Sequence, residues 1–390
     1  MSFFEKYIVP EAAELRNSDH YRIIPPIDDG AAREIMHAGV HLLNLASNNY
    51  LGLAGRQECI DASAKALSRH GCSAGASRLV TGNFALAETL EAELATFKDQ
   101  EAALVTCSGY AANLAVFSAL ADRHTVVFSD RLNHASIVDG ILLSGARMVR
   151  YRHLDMEHLD ALLCREAAVP KKIIVTDTVF SMDGDVAPLA RLTELGKAHG
   201  ALVVVDEAHA MGVLGHGRGL VAELGLSESV DVHVGTLSKA MGSLGGYVAG
   251  RIETIEILRN RGRPFIFSTA LPPAVLGAAL AALRHIKANP EEGANLLRMA
   301  KDMRDHLIGL GFDVMGSSTQ IIPVACGRNR VAMHAQALLR AEGLYVAAVR
   351  PPTVPEGSAR LRLSLRADLT DEDLKRVRLG FSRLRVSFFP

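Results

Sequence analysis

An excess of basic residues is missing from this chain: 42 Lys and Arg stand against 43 Asp and Glu, a net charge of −1. Coating a polyanion requires clustered Lys and Arg, so nucleic acid is not expected as a partner. Cysteine is scarce too. The five thiols (Cys59, Cys72, Cys107, Cys164, Cys326) are odd in number, widely spaced and form neither a C-x-x-C pair nor a zinc-like cluster. That argues against a disulfide scaffold and a metal site, and predicts free thiols in a reducing cytoplasm. Continuous apolar runs are also lacking. The two longer uncharged stretches, 102–121 and 264–283, are broken by Ser108, Gly109 and Asn113 and by Ser268, Thr269, Pro272 and Pro273. Neither reads as a membrane span. The opening MSFFEKYIVPEAAELR carries Glu5 and no apolar core, so it is not expected to be a signal peptide.

What is present suits a large soluble core. At ~150 residues per domain, 390 residues with 49% apolar content predict two to three domains. From about residue 46 short β-branched runs alternate with amphipathic stretches, the pattern of a mostly parallel sheet covered by helices on both faces. The expected strands are Thr125–Ser129, Lys172–Asp177, Ala201–Asp206 and Val232–Thr236, with a helix over Pro188–His199. Past Pro272-Pro273 the texture changes to charged helices, then strands at Ile321–Cys326, Leu344–Val349 and Arg360–Leu365 and a helix from Asp371. The expected organisation is an arm over 1–45, a large α/β domain over 46–284 and a smaller α+β domain over 285–390.

Chemistry concentrates at predicted strand ends. VVVDEAHA (203–210) places Asp206 at the carboxyl end of a buried strand, the ligand edge of an open α/β sheet, with His209 on the following turn. D-E-A-H also ends a helicase strand, but that reading needs an upstream G-x-x-x-x-G-K-[ST] loop, and Gly196-Lys197 is followed by Ala198. GTLSKAMGSLGGYVAG (235–250) sets Lys239 beyond another strand, between hydroxyls and glycines that admit a ligand, which suits a Schiff base. Pyridoxal phosphate requires that pair: a lysine for its aldehyde and a carboxylate to keep its pyridine nitrogen protonated. Ser108-Gly109-Tyr110 opens an apolar helix whose N–H groups would hold a phosphate, and His134 in DRLNHASIVDG (130–140) could stack on the ring.

DEAH at 206–209, TLSKAMGSLGG at 236–246, FSDRLNHAS at 128–136 and VFSMDGD at 179–185 occur together and in order. With LNLASNNYLGL (43–53), GASRLVTGN (75–83) and RLRLSL (360–365), they make the chain resemble the α-oxoamine synthases, fold-type I pyridoxal-phosphate enzymes, over most of its length. The resemblance implies a homodimer and a cofactor joined to Lys239. Asp206 would face the pyridine nitrogen, Ser181 and His209 the phenolic oxygen, and His134 the ring, where it also serves catalysis. Gly109, Tyr110 and Thr236 would hold the phosphate, and Ser268 and Thr269 would reach the phosphate of the other subunit. RPPTVPEGSARLRLSL (350–365) is most similar to members that condense L-alanine with a pimeloyl thioester, carried on coenzyme A or acyl-carrier protein, in biotin biosynthesis. Arg362 would then grip the amino-acid carboxylate, and Arg22, Asn48 and Thr353 would contact substrates. The arm departs from the family at His20, where glycine is common, and at Ile24-Pro25-Pro26. The alternative is a member using glycine or serine with another acyl chain.

Spacing alone does not choose between Arg360 and Arg362, which share a strand face. His153, Glu157 and His158 match neither zinc-binding helix pattern and are expected on a solvated face. Gly215, Gly217 and Gly219 lack dinucleotide spacing and are expected in a loop.

Overall fold

The computed structural model describes residues 1–18, 21–28, 30 and 32–388, so His20 lies outside the described residues. The chain divides into two compact units, one of residues 48–181 and 185–298, the other of 1–47, 182–184 and 299–390.

The larger unit holds seven strands: β1 (Ala102–Thr106), β2 (Thr125–Asp130), β3 (Arg147–Tyr151), β4 (Lys171–Asp177), β5 (Leu202–Asp206), β6 (Val232–Thr236) and β7 (Gly246–Gly250). They form one sheet in the order β1-β7-β6-β5-β4-β2-β3. All neighbours are parallel except β7, which runs antiparallel to both β1 and β6. The central strands are buried on both faces, which is why β4 and β5 read as unbroken β-branched runs. On one face alternate residues (Val127, Ile173, Val175, Val204, Val232, Val234) pack against Ala112, Ala115, Val116 and Phe117 of the helix Gly109–Leu120 and Ile137 and Ile141 of the helix Ala135–Ser144. Each large side chain so buried contributes about 1.5–3 kcal/mol. The alanine-rich face brings that first helix close to the sheet. A Cβ on Gly140 would meet Phe117 Cδ2 at 2.9 Å, so the two helices also pack closely on each other.

The smaller unit contains an antiparallel sheet in which Ala359–Ser364 lies between Ile321–Gly327 and Ala347–Val349. The residues expected as a separate arm belong to this unit: Val40–Asn44 pairs with Glu34–His37 and, in parallel, with Leu344–Tyr345. The strand expected over Leu344–Val349 is divided, since its first two residues pair with Val40–Asn44 and its last three with Ala359–Ser364. The helix Pro273–Ala288, expected among charged helices, is mostly apolar; it lies in the larger unit, which runs on to residue 298, past the boundary expected at 284.

Candidate active site

Parallel strands aim their carboxyl ends at one edge, and here that edge gathers Asp177, Asp206 and Thr236. Asp177 and Asp206 are direct register partners on β4 and β5. Beyond these ends lies a cavity of about 230 Å³. Its lining includes Gly109, Tyr110, His134, Ser181, Asp206, His209, Thr236 and Lys239.

Turn chemistry delivers each of these groups. After β5, Ala208 N–H donates to Asp206 Oδ1 at 2.9 Å and Glu207 N–H to Val234 O at 2.8 Å, which bends the chain so that His209 joins the edge. After β6, Leu237 N–H reaches Gly245 O and Gly242 N–H reaches Lys239 O, both at 2.9 Å, closing a tight loop around Lys239. Gly242 has φ of +60°, and a Cβ there would lie 2.2 Å from Ala54 N. Ser108 caps the helix Gly109–Leu120 through Ala111 N–H, while Ala112 N–H goes to Ser108 O. Among the described residues that leaves the N–H groups of Gly109 and Tyr110 as the first-turn donors not used locally. A Cβ on Gly109 would stand 3.2 Å from Thr236 Cβ, a tight contact, so the bare glycine brings this helix end close to the hydroxyls of Thr236 and Ser238, which are 2.7 Å apart.

Two buried carboxyls, Asp206 and Asp177, and the more exposed imidazole of His134 tune the site. Asp206 Oδ2 accepts from Asn113 Nδ2 at 2.7 Å. Burial, reinforced by the neighbouring charge of Asp206, pushes the Asp177 carboxyl well above its usual range, although it accepts His134 N–H at 2.7 Å. Desolvation of its ring lowers His134, although the residue as a whole is exposed, against the opposing pull of Asp206. Tyr50 O–H lies 2.6 Å from His209 Nδ1 and 3.1 Å from Asn48 Oδ1, which ties Asn48 to the site.

The pieces fit pyridoxal phosphate. An anion fits the helix end beside Thr236 and Ser238, a buried carboxylate stands ready for a protonated ring nitrogen, and Lys239 supplies an amine in the same cavity. The hydroxyl of Tyr110 is committed to Asp139, so its backbone N–H is the group offered to an anion. Ser268 and Thr269 line a different, smaller pocket with Arg78 and Cys107.

The remaining expected site residues lie in the smaller unit. Arg22 Nη2 donates to Thr353 Oγ1 at 3.3 Å. Arg360 is ion-paired with Asp183, whereas Arg362 Nη1 donates to Ser364 Oγ at 2.7 Å. This separates the two arginines that strand spacing left equivalent.

Asn113, Ser136, Asp177 and Tyr50 were not singled out by the sequence. Asp177 ends its strand as Asp206 does and could have been found by the same rule, and Asn113 is the only amide in an apolar helix. One expectation is corrected. His153 is not on a solvated face: its ring nitrogens bond Asp130 at 2.9 Å and Asp185 at 2.8 Å, edge-on to Phe180.

Known proteins share this architecture. A serine palmitoyltransferase from S. paucimobilis, solved with bound PLP and myriocin, superposes with a TM-score of 0.93 at 32% identity over 99% of each chain. An 8-amino-7-oxononanoate synthase from Francisella tularensis superposes at 0.76, with 27% identity over 89% of this chain and 98% of that one. Fold and site thus define a fold-type I PLP-dependent transferase. The sequence narrows this further: an 8-amino-7-oxononanoate synthase from Geobacter sulfurreducens is 48% identical over 97% of both chains, and one from Anaeromyxobacter dehalogenans 50% identical over 89% of this chain and 87% of its own. The chain belongs to the aminotransferase class I and II family, whose profile matches residues 40–378, and within it to the α-oxoamine synthases.

Proposed function

We propose that this chain is a PLP-dependent acyltransferase that condenses L-alanine with a pimeloyl thioester, giving 8-amino-7-oxononanoate, carbon dioxide and the free thiol carrier, coenzyme A or acyl-carrier protein, for biotin biosynthesis. The observation that carries this is identity of 48–50% over most of the chain to enzymes named for that product, against 32% to the serine palmitoyltransferases. Bound pyridoxal phosphate supplies the electron sink that makes removal of the alanine Cα proton feasible. Lys239 would hold the cofactor through its aldehyde, and its Nζ would take the Cα proton of alanine. Asp206 would face the ring nitrogen and keep it protonated through its opposite charge. Gly109, Tyr110 and Thr236 bind the phosphate, Ser181 and His209 the phenolic oxygen, and His134 covers the ring. Arg362 binds the alanine carboxylate through its planar fork, and Arg22, Asn48 and Thr353 serve the substrates. The protein acts in the cytoplasm as a homodimer, with Ser268 and Thr269 serving the other subunit's phosphate. No helix among the described residues is long and apolar enough to cross a membrane.

The backbone likeness to serine palmitoyltransferase favours a second reading, a serine-using enzyme with a longer acyl chain. Purified protein offered alanine, glycine or serine with pimeloyl or palmitoyl thioesters separates the two by the mass of the amino ketone formed. Turnover of serine or glycine in preference to alanine overturns the proposal.

A further inference from the structure

Beneath the cavity runs a chain of hydrogen bonds joining its two most important polar groups. Asn113 Nδ2 donates to Asp206 Oδ2 at 2.7 Å and to Ser136 Oγ at 2.9 Å, and Ser136 Oγ lies 2.7 Å from His134 Nδ1. Asn113 and Ser136 are 1% exposed. The close helix contact at Gly140, one turn beyond Ser136, brings them together, since a Cβ there would also meet Asn113 O at 3.1 Å.

The direction of every proton in this chain follows from its first member. An ionised carboxylate only accepts, so Asn113 must turn its NH2 toward Asp206. The same NH2 supplies Ser136 Oγ, and Asn113 Oδ1 is left buried with no hydrogen-bond partner, the cost of this orientation. Having accepted from Asn113, the Ser136 hydroxyl has its own proton to give, and His134 Nδ1 is the acceptor before it. Ser136 N–H points at the same Nδ1 from 3.3 Å, an independent donor that agrees.

We propose that Asn113 and Ser136 are positioning residues that lock His134 as the Nε2–H tautomer, so that the carboxylate serving the cofactor nitrogen also dictates what the ring-covering histidine can do. His134 is then a hydrogen-bond donor at Nε2, suited to an oxygen of the substrate carboxylate or thioester, and has no free lone pair to act as a base. Desolvation of the ring disfavours its charged form, and Asp206, Lys239, Asp139, Asp177 and Tyr110 are the charged or titratable groups around it. The use of that donor in catalysis rests on the proposed reaction; the tautomer does not.

The test is therefore made on cofactor-free protein carrying histidine labelled with heavy nitrogen, with the His134 signal identified by its loss in His134→Gln. Nitrogen–proton correlation spectra should show one neutral form, protonated at Nε2, down to mildly acidic pH. In Ser136→Ala only the longer backbone contact is left, and the Nδ1–H form should become detectable. In Asn113→Asp an oxygen faces Ser136, so its hydroxyl turns away from His134. The ring should then shift to Nδ1–H or hold a proton to higher pH, and the acidic limb of kcat/KM should move with it in the holoenzyme. Circular dichroism and thermal melting identify which variants are folded. A parent ring protonated at Nδ1 overturns the assignment, as does an unchanged tautomer in folded Ser136→Ala or Asn113→Asp. Failure to make an amino ketone from alanine, with the tautomer as described, overturns the proposed reaction alone.

Discussion

Replacing Lys98 with methionine tests how the residue after Asp206 is held. Lys98 is 2% and Glu207 0% exposed at the side chain, and the two form an ion pair in the interior of the larger unit. Lys98 Nζ also donates to Arg218 O, and Glu207 Oε1 accepts Val221 N–H at 3.1 Å, so the pair fastens the turn after β5 to the loop over 215–219. Burial pushes the Glu207 carboxyl up, but the charge of Lys98, with the His233 ring 3.5 Å away, outweighs it and holds the group at about 2. Compared with an ordinary glutamate near ~4.3, that is worth about 3 kcal/mol at neutral pH. Because the folded value lies below the unfolded one, this stability is present above the ordinary range and lost as pH falls through about 2. Lys98→Met keeps the stem and strands a buried carboxylate, a change that costs about 3–5 kcal/mol. Guanidinium denaturation at neutral pH should show that loss as a lowered midpoint. Lys98→Met with Glu207→Gln should recover much of it, because the neutral amide still accepts Val221 N–H and carries no unpaired charge. If Lys98→Met stays within about 1 kcal/mol of the parent, the pair does not hold the turn and the reasoning fails.

Borohydride reduction followed by peptide mapping should find the pyridoxyl group on Lys239, and a label on any other lysine refutes that role; Lys239→Ala should lose turnover yet still bind free cofactor. Asp206→Asn should lower kcat by roughly a hundredfold or more while cofactor binding falls far less, because the charge matters most as electrons reach the ring; equal losses would count against it. Arg362→Ala should raise the KM for alanine at least about tenfold, the worth of one charge-assisted contact, whereas Arg360→Ala, which strands Asp183, should show its main effect in the melting temperature; the reverse pattern means the register is off by two residues. Burial pushes His153 down, but Asp130 and Asp185 hold it up at about 9, so the stability it confers is full below ~6.5 and lost as pH rises through about 9. His153→Gln should flatten that alkaline loss in a pH series of denaturation midpoints, and an unchanged slope would count against the double ion pair.

Local pattern carried much of this protein. Strands β2, β4, β5 and β6 were legible because burial on both faces demands unbroken β-branched runs, and Asp206, Lys239 and the helix start at Gly109 because strand ends and caps follow from neighbouring residues. The other three strands had no such signature. β1 passes with little polar interruption into the apolar helix after it, β3 is an edge strand with arginines, and β7 begins and ends in glycine. Partnership was decided by tertiary structure alone. Asn113 meets Asp206 across 93 residues, Lys98 meets Glu207 across 109 and Tyr50 meets His209 across 159. Periodicity tells which way a side chain faces along its own strand or helix; it has no term for which strand lies beside which. The order β1-β7-β6-β5-β4-β2-β3, set by how the whole sheet buries its two faces, turned residues scattered along the sequence into a hydrogen-bonded site.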